Sequence, residues 1–157
     1  MKTQQVLDRL DAAWRDFEGS YAGLSDAELR IPGVTGQWSV RDLIAHVTWW
    51  EEEALAHLPV VQEGRRPTRY SVKYGGIDAF NALMTEQRRH LSLDEVLRQH
   101  DEVHERLVEY VRAAPEELYA RETRFRRRLK LDTYGHYPIH ARAIRAWRAR
   151  ELGDATA

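Results

Sequence analysis

The chain has 157 residues, 43% hydrophobic and 31% charged, with 24 basic side chains against 25 acidic ones. That length suits one domain with a sizeable core, and the near balance of charge supplies none of the basic field that nucleic-acid binders carry. There is no cysteine, which excludes disulfides, thiolate metal sites and a cysteine nucleophile, so any thiol chemistry requires an external thiol.

No apolar run approaches the ~18 residues of a membrane span, and "MKTQQVLDRL" lacks the core of a signal peptide. A cytoplasmic protein with no membrane or nucleic-acid partner is expected. Only Lys2, Lys73 and Lys130 are lysines, a bias toward arginine that reads as genomic rather than functional.

In chain order, Val6, Leu7, Leu10, Trp14, Phe17 and Tyr21 recur at three-to-four-residue intervals, the stripe of a first long amphipathic helix. Ser25 and Glu28 form a capping box for a short helix that stops near Pro32-Gly33. Ser39 and Asp42 open a second long helix whose inner stripe is Val40, Leu43, Ile44, Val47, Trp50 or Glu51, Ala54 and Leu58. His46 falls beside that stripe, with Trp50, Glu53 and His57 continuing from it as a more polar column.

From Pro59 the stretch "PVVQEGRRPTRYSVKYGG" shows no clear period and is expected to be a long crossover or lid. A short helix follows, with Ile77, Phe80, Leu83, Met84 and Leu91 on one side. Ser92 and Glu95 cap a third long helix with inner positions Val96, Leu97, His100, Val103, His104, Leu107 and Val111, stopped by Pro115. "YARETRFRRRLKLD" is ambiguous. Its arginines read as a solvated surface, the other use of Arg121 to Lys130 being to attract an anionic thiol or substrate.

The last long helix is expected to start at Pro138, to bury Ile139, Ala143, Ile144 and Trp147, and to end at Gly153. These elements predict a single all-α domain over 1–153, with 154–157 as a frayed tail. Its architecture is a four-helix bundle with a long crossover between its second and third long helices.

Histidines carry the chemistry. His136 and His140, near one helical turn apart, can aim two imidazoles at one point, and a third from a facing helix completes a three-nitrogen face. Such a face leaves positions open for water or substrate, as catalytic metal sites do. His100 and His104 form a second pair at the same spacing, so spacing alone leaves two sites open.

The stretch "GQWSVRDLIAHVTWWE" resembles the second-helix signature of DinB-like four-helix bundles, W-S-x-x-D-x-x-A-H, which Trp38, Ser39, Asp42, Ala45 and His46 match. "FNALMTEQRRHLSLDEVLRQHDEVHERL" is similar to the ClbS/DfsB branch of that superfamily, Asn81 and the serine-capped third helix included, and "YGHYPIH" sits where these proteins carry fourth-helix histidines. The resemblance covers nearly the whole chain.

It implies that His46, His136 and His140 hold a divalent ion, zinc or nickel, and that a low-molecular-weight thiol such as bacillithiol, mycothiol or glutathione serves as cosubstrate. The function implied is metal-dependent S-transfer to, or hydrolysis of, a small reactive electrophile, in detoxification or self-resistance. The ClbS/DfsB branch implies an alternative, small-molecule sequestration or metal-independent resistance. Around this triad, Glu53 is the candidate proton acceptor, and Trp50, Asn81, His104 and Tyr137 are candidate substrate contacts, with Tyr74 a further hydroxyl donor. A homodimer is the expected assembly.

Overall fold

The computed structural model describes residues 1–154. Thr3–Tyr21 form α1, which buries Val6, Leu10, Trp14 and Phe17, the expected stripe. A four-residue α2, Asp26–Leu29, is opened by the Ser25–Glu28 capping box. The next element, α3, spans Val40–Gln62, and its first turn carries reciprocal bonds between Ser39 and Asp42 at 3.0 and 3.1 Å.

Helix α3 does not stop at Pro59, where the loop was expected to begin. A proline inside a helix removes one backbone bond, but Leu58 is fully buried and Val61 packs on the core, so packing carries the last turn to Gln62.

The crossover contains two helices, α4 at Tyr70–Lys73 and α5 at Ile77–Arg88. Arg41 pins its far end, donating from Nη2 to the carbonyls of Arg88 and Leu91 at 2.7 Å each. Of the apolar side expected on α5 only Phe80 is buried, because this helix lies on the rim of the bundle. Leu93–Ala113 form α6, capped by Ser92 and Glu95.

The ambiguous arginine-rich stretch is helical: a short α7 at Glu117–Ala120, then α8 at Arg124–Asp132, which buries Phe125, Leu129 and Asp132. Helix α9 covers Tyr137–Trp147 and runs into a π-helical turn, Arg148–Leu152, capped by left-handed Gly153. It starts one residue before Pro138, and Ile139 faces solvent instead of the core. Asp154, expected to fray, pairs with Arg148, while residues 155–157 of the expected tail lie outside the described residues.

The four long helices close a ring in which α1 packs on α9 and α6, and α3 packs on α6, α8, α5 and α9. Among the described residues there is no strand beyond an isolated bridge between Thr35 and Trp38. No helix among them is long and apolar enough to cross a membrane.

Polar side chains inside this ring are paired with care. The Thr48 hydroxyl donates to the Ile44 carbonyl, so it can only accept from His100 Nδ1 at 3.2 Å, and the Tyr21 hydroxyl faces His100 Nε2 at 3.4 Å. His100 is therefore a neutral imidazole with its proton on Nδ1. Burial, then neighbouring His104, lowers its pKa to about 3. Because the folded value lies below the unfolded one, the stability this ring contributes is complete above about pH 6.5 and is lost as pH falls toward 3. Urea titrations of the wild type and His100→Leu are expected to differ in slope by up to about 1.4 kcal/mol per pH unit between pH 6 and 4, the wild type falling faster.

Candidate metal centre

His46 projects from the second turn of α3 into a cage of aromatic rings, with Trp38 at 4.8 Å and Trp49 at 4.9 Å between centroids. The indole N–H groups of Trp49 and Trp50 both donate to Asn81 Oδ1 of α5, at 3.2 and 3.1 Å. Asn81 thus positions the two tryptophans beside His46, a task its place in the sequence did not indicate.

His136 reaches the same point from the turn before α9. It is the cap residue of that helix and already has helical dihedrals, φ −96° and ψ −47°. Its N–H donates to the Thr133 carbonyl at 2.7 Å, and that of Tyr137 to the same carbonyl at 2.9 Å. The tight turn lets Pro138 occupy a position where a helix has no N–H to lose. His140 follows one turn later on the same face.

The turn depends on Gly135. A Cβ there would lie 2.8 Å from the Lys130 carbonyl oxygen, a backbone atom that cannot step aside. Gly135→Ala is expected to cost about 1–3 kcal/mol in urea denaturation and to displace His136, with a parallel loss of bound metal.

The result is a cluster of three Nε2 atoms. His136 Nε2 lies 3.1 Å from His46 Nε2 and 2.9 Å from His140 Nε2, and all three ligand atoms fall within 4.8 Å of one another. Burial lowers the pKa of His46 to about 2, of His136 to about 3 and of His140 to about 4, with neighbouring imidazoles adding to the effect on the first two. At neutral pH all three are uncharged.

A neutral imidazole has one proton for two nitrogens. His136 Nε2 has one in-plane site, a proton or a single lone pair, so by hydrogen bonding alone it must share that site between two neighbours, and its Nδ1 stays buried with no partner. A cation that accepts all three lone pairs needs no such arrangement. Donors on a tetrahedral ion at 2.0–2.1 Å stand about 3.3 Å apart, within a few tenths of an ångström of the two close spacings here. The donor set, three neutral nitrogens, is what zinc or nickel takes. The Nδ1 atoms of His46 and His136 have no hydrogen-bond partner, so ring packing rather than a carboxylate or carbonyl orients these two imidazoles.

The triad forms the floor of a cleft of about 360 Å³. Trp50 and Asn81 line it, while the aliphatic side chains of Ile77, Leu131 and Ile139 ring its mouth, 53%, 70% and 52% exposed. Arg128 and Asp132 of α8 and Tyr70 also line it, in a polar network in which Arg128 Nε donates to Asp132 Oδ2 at 2.6 Å and Arg128 Nη2 to Tyr70 Oη at 2.9 Å and His57 Nδ1 at 2.7 Å. Tyr70 in turn donates to Glu53 Oε1 at 2.9 Å. Burial raises the Asp132 pKa to about 6 against the opposing pull of Arg128.

Of the residues singled out from the sequence, His46, His136, His140, Trp50 and Asn81 line one cleft. Glu53 is not on its surface and reaches it only through Tyr70. His104 and Tyr137 lie elsewhere. His104 stacks on Trp14 at 3.5 Å between centroids and bonds to buried Glu51 at 2.9 Å. Tyr137 is fully buried, edge-on to Trp14. Burial pushes the pKa of its hydroxyl upward and nearby Glu51 adds to the effect, with no hydrogen bond formed between them. Neither side chain lines this cleft. Tyr74 packs against Phe80 beside an adjoining groove.

Asp132 and Tyr70 were not singled out, and Arg128 entered only as one member of the run Arg121 to Lys130. A signal was there for Asp132, which shares the apolar stripe of Phe125 and Leu129 with an arginine four residues before it.

Fold and site together define a helical bundle with a three-histidine cluster beneath an aliphatic-rimmed cleft. A family model described as the DinB superfamily matches residues 9–143, and the chain belongs to that superfamily. Two solved structures are similar at 13% identity: one described as a sibling lethal factor precursor, DfsB (TM-score 0.78, covering 96% of this chain and 97% of that one), and an uncharacterised protein from Escherichia coli UTI89 (TM-score 0.77, covering 96% and 95%). At that identity they establish the shared fold. A search of curated proteins finds no match.

Proposed function

We propose that this DinB-superfamily protein binds a divalent metal, zinc or nickel, through His46, His136 and His140, and uses it to act on a small reactive electrophile. The convergence of three neutral Nε2 atoms from α3 and the start of α9 beneath an open cleft carries this reading. When bound, the ion would serve as a Lewis acid toward water or an external thiol. The protein's own residues do the rest. Trp50 supplies a flat wall and Asn81 keeps it in place. Ile77, Leu131 and Ile139 favour an apolar body over water at the mouth. Tyr70 offers the cleft a hydroxyl already hydrogen-bonded to Glu53, so the proton-accepting role expected of Glu53 runs through Tyr70.

Both S-transfer and hydrolysis fit this arrangement, since either needs one position open to the nucleophile and one wall for the electrophile. Detoxification or self-resistance is the biological setting proposed, in the cytoplasm and as a homodimer.

The test is metal analysis of the purified wild type beside His46→Ala, His136→Ala and His140→Ala, followed by turnover of a general electrophile with and without low-molecular-weight thiols. One zinc or nickel per chain, lost in each variant, supports the site. Turnover that needs both metal and thiol identifies a transferase, and turnover that needs metal alone a hydrolase. A metal-free protein whose variants keep full activity overturns the reading.

A further inference from the structure

We propose that Arg128 is an anion anchor of the cleft, and that the guest is an amphiphilic acid whose single negatively charged oxygen, a carboxylate oxygen at its simplest, is gripped by Arg128 Nη1 while its apolar body lies along Ile77, Leu131 and Ile139.

The assignment follows from counting donors. A guanidinium has five N–H bonds. Nε spends its one on Asp132, and Nη2 spends its two on Tyr70 and His57. Among the described residues the two on Nη1 find no acceptor, yet Nη1 is not among the sealed polar atoms, and Arg128 lines the cleft. An unspent charged donor in a concave cleft that also carries exposed aliphatic side chains selects a ligand with a complementary oxygen.

The same three bonds hold the guanidinium rigid, with its side chain only 18% exposed, so little freedom is lost when an anion docks. No carboxylate other than Asp132 lines this cleft to compete. Only one guanidinium nitrogen is left over, which matches one oxygen better than the bidentate fork that a fully free arginine offers.

This inference rests on the cleft being the substrate site, but not on the metal. The probe is octanoate, compared with octanol and octylamine of equal chain length, titrated calorimetrically into the chelator-treated protein and again with zinc. Octanoate is expected to bind about ten- to a hundredfold more tightly than either. In Arg128→Gln the three should fall within about twofold of each other.

Since Arg128→Gln leaves Asp132 buried without its partner, Asp132→Asn is the second variant. It keeps Arg128 and removes the competing charge, so octanoate affinity should rise, and that rise should disappear in the Asp132→Asn, Arg128→Gln double variant, which a merely structural arginine would not require. The preference appearing in zinc-free protein supports the anchor even if metal analysis fails. In the zinc-free protein, equal affinity for the three probes, no octanoate binding, or a preference that survives Arg128→Gln overturns it.

Discussion

Zinc at about a thousand times its Kd is expected to raise the unfolding free energy of the wild type by about 4 kcal/mol and to leave His136→Ala unmoved. His136 is the decisive position because its Nε2 is the one close to both others. Removing a ligand outright should exceed the roughly 10- to 100-fold loss of affinity seen when only a supporting contact is removed.

The metal-free variants sharpen the test. A histidine that serves the core costs stability when deleted. By contrast, His46 and His136 each bury an Nδ1 with no partner, a burden of about 1–3 kcal/mol apiece. Their alanine variants should therefore be close to the wild type without zinc, and differ from it only when zinc is added. Chemical denaturation with and without zinc reads both quantities, and His90→Ala, an exposed histidine outside the cluster, is the control that should keep the full response.

His104→Ala is expected to do the reverse, lowering stability by about 3–5 kcal/mol while leaving zinc uptake unchanged. The Glu51 carboxylate is wholly inaccessible, and burial raises its pKa against the stabilising effect of His104. Take His104 away and the carboxyl group keeps its burial but loses its hydrogen bond at 2.9 Å. The Trp14 face is bared as well, since His104 lies on it with only 5° between the planes. Replacing both partners by leucine should recover most of the loss, because a pair of apolar residues carries no unmet polar group. Urea denaturation of the two single variants and the double variant measures the coupling. If His104→Ala abolished zinc uptake with the fold intact, the metal would have to sit on α6.

That contrast shows how far the sequence could be read. His100 and His104 have the same spacing as His136 and His140, and spacing alone could not separate them. The first pair faces Trp14, Thr48, Tyr21 and Glu51, so both nitrogens of His100 and Nδ1 of His104 are taken up by neighbours inside the bundle. The second pair meets His46 and a cleft. What distinguishes them is what stands opposite, a property of helix packing that no local pattern encodes. The resemblance of "WSVRDLIAH" to the DinB-like signature singles out His46 on α3, and superfamily membership over residues 9–143 bears out the family recognition.

Local chemistry determined much of the architecture directly. Serine–acid capping boxes at Ser25, Ser39 and Ser92 and apolar stripes of helical period set where α2, α3 and α6 begin and which faces they bury. Those are short-range effects, acting within one or two turns. Tertiary structure decided where local rules conflicted. It carried α3 through Pro59, and it made a helix of the arginine-rich stretch by burying Phe125 and Leu129. It also turned Ile139 outward, where it rims the cleft. Arg128 shows the difference most clearly. In the sequence it is one basic residue in a run that reads as solvated surface, but in the fold its partners are Asp132 of its own helix, Tyr70 of the crossover and His57 of α3. Two of those three lie about sixty or more residues away in the chain, and only the packing of α8 on α3 brings them within reach.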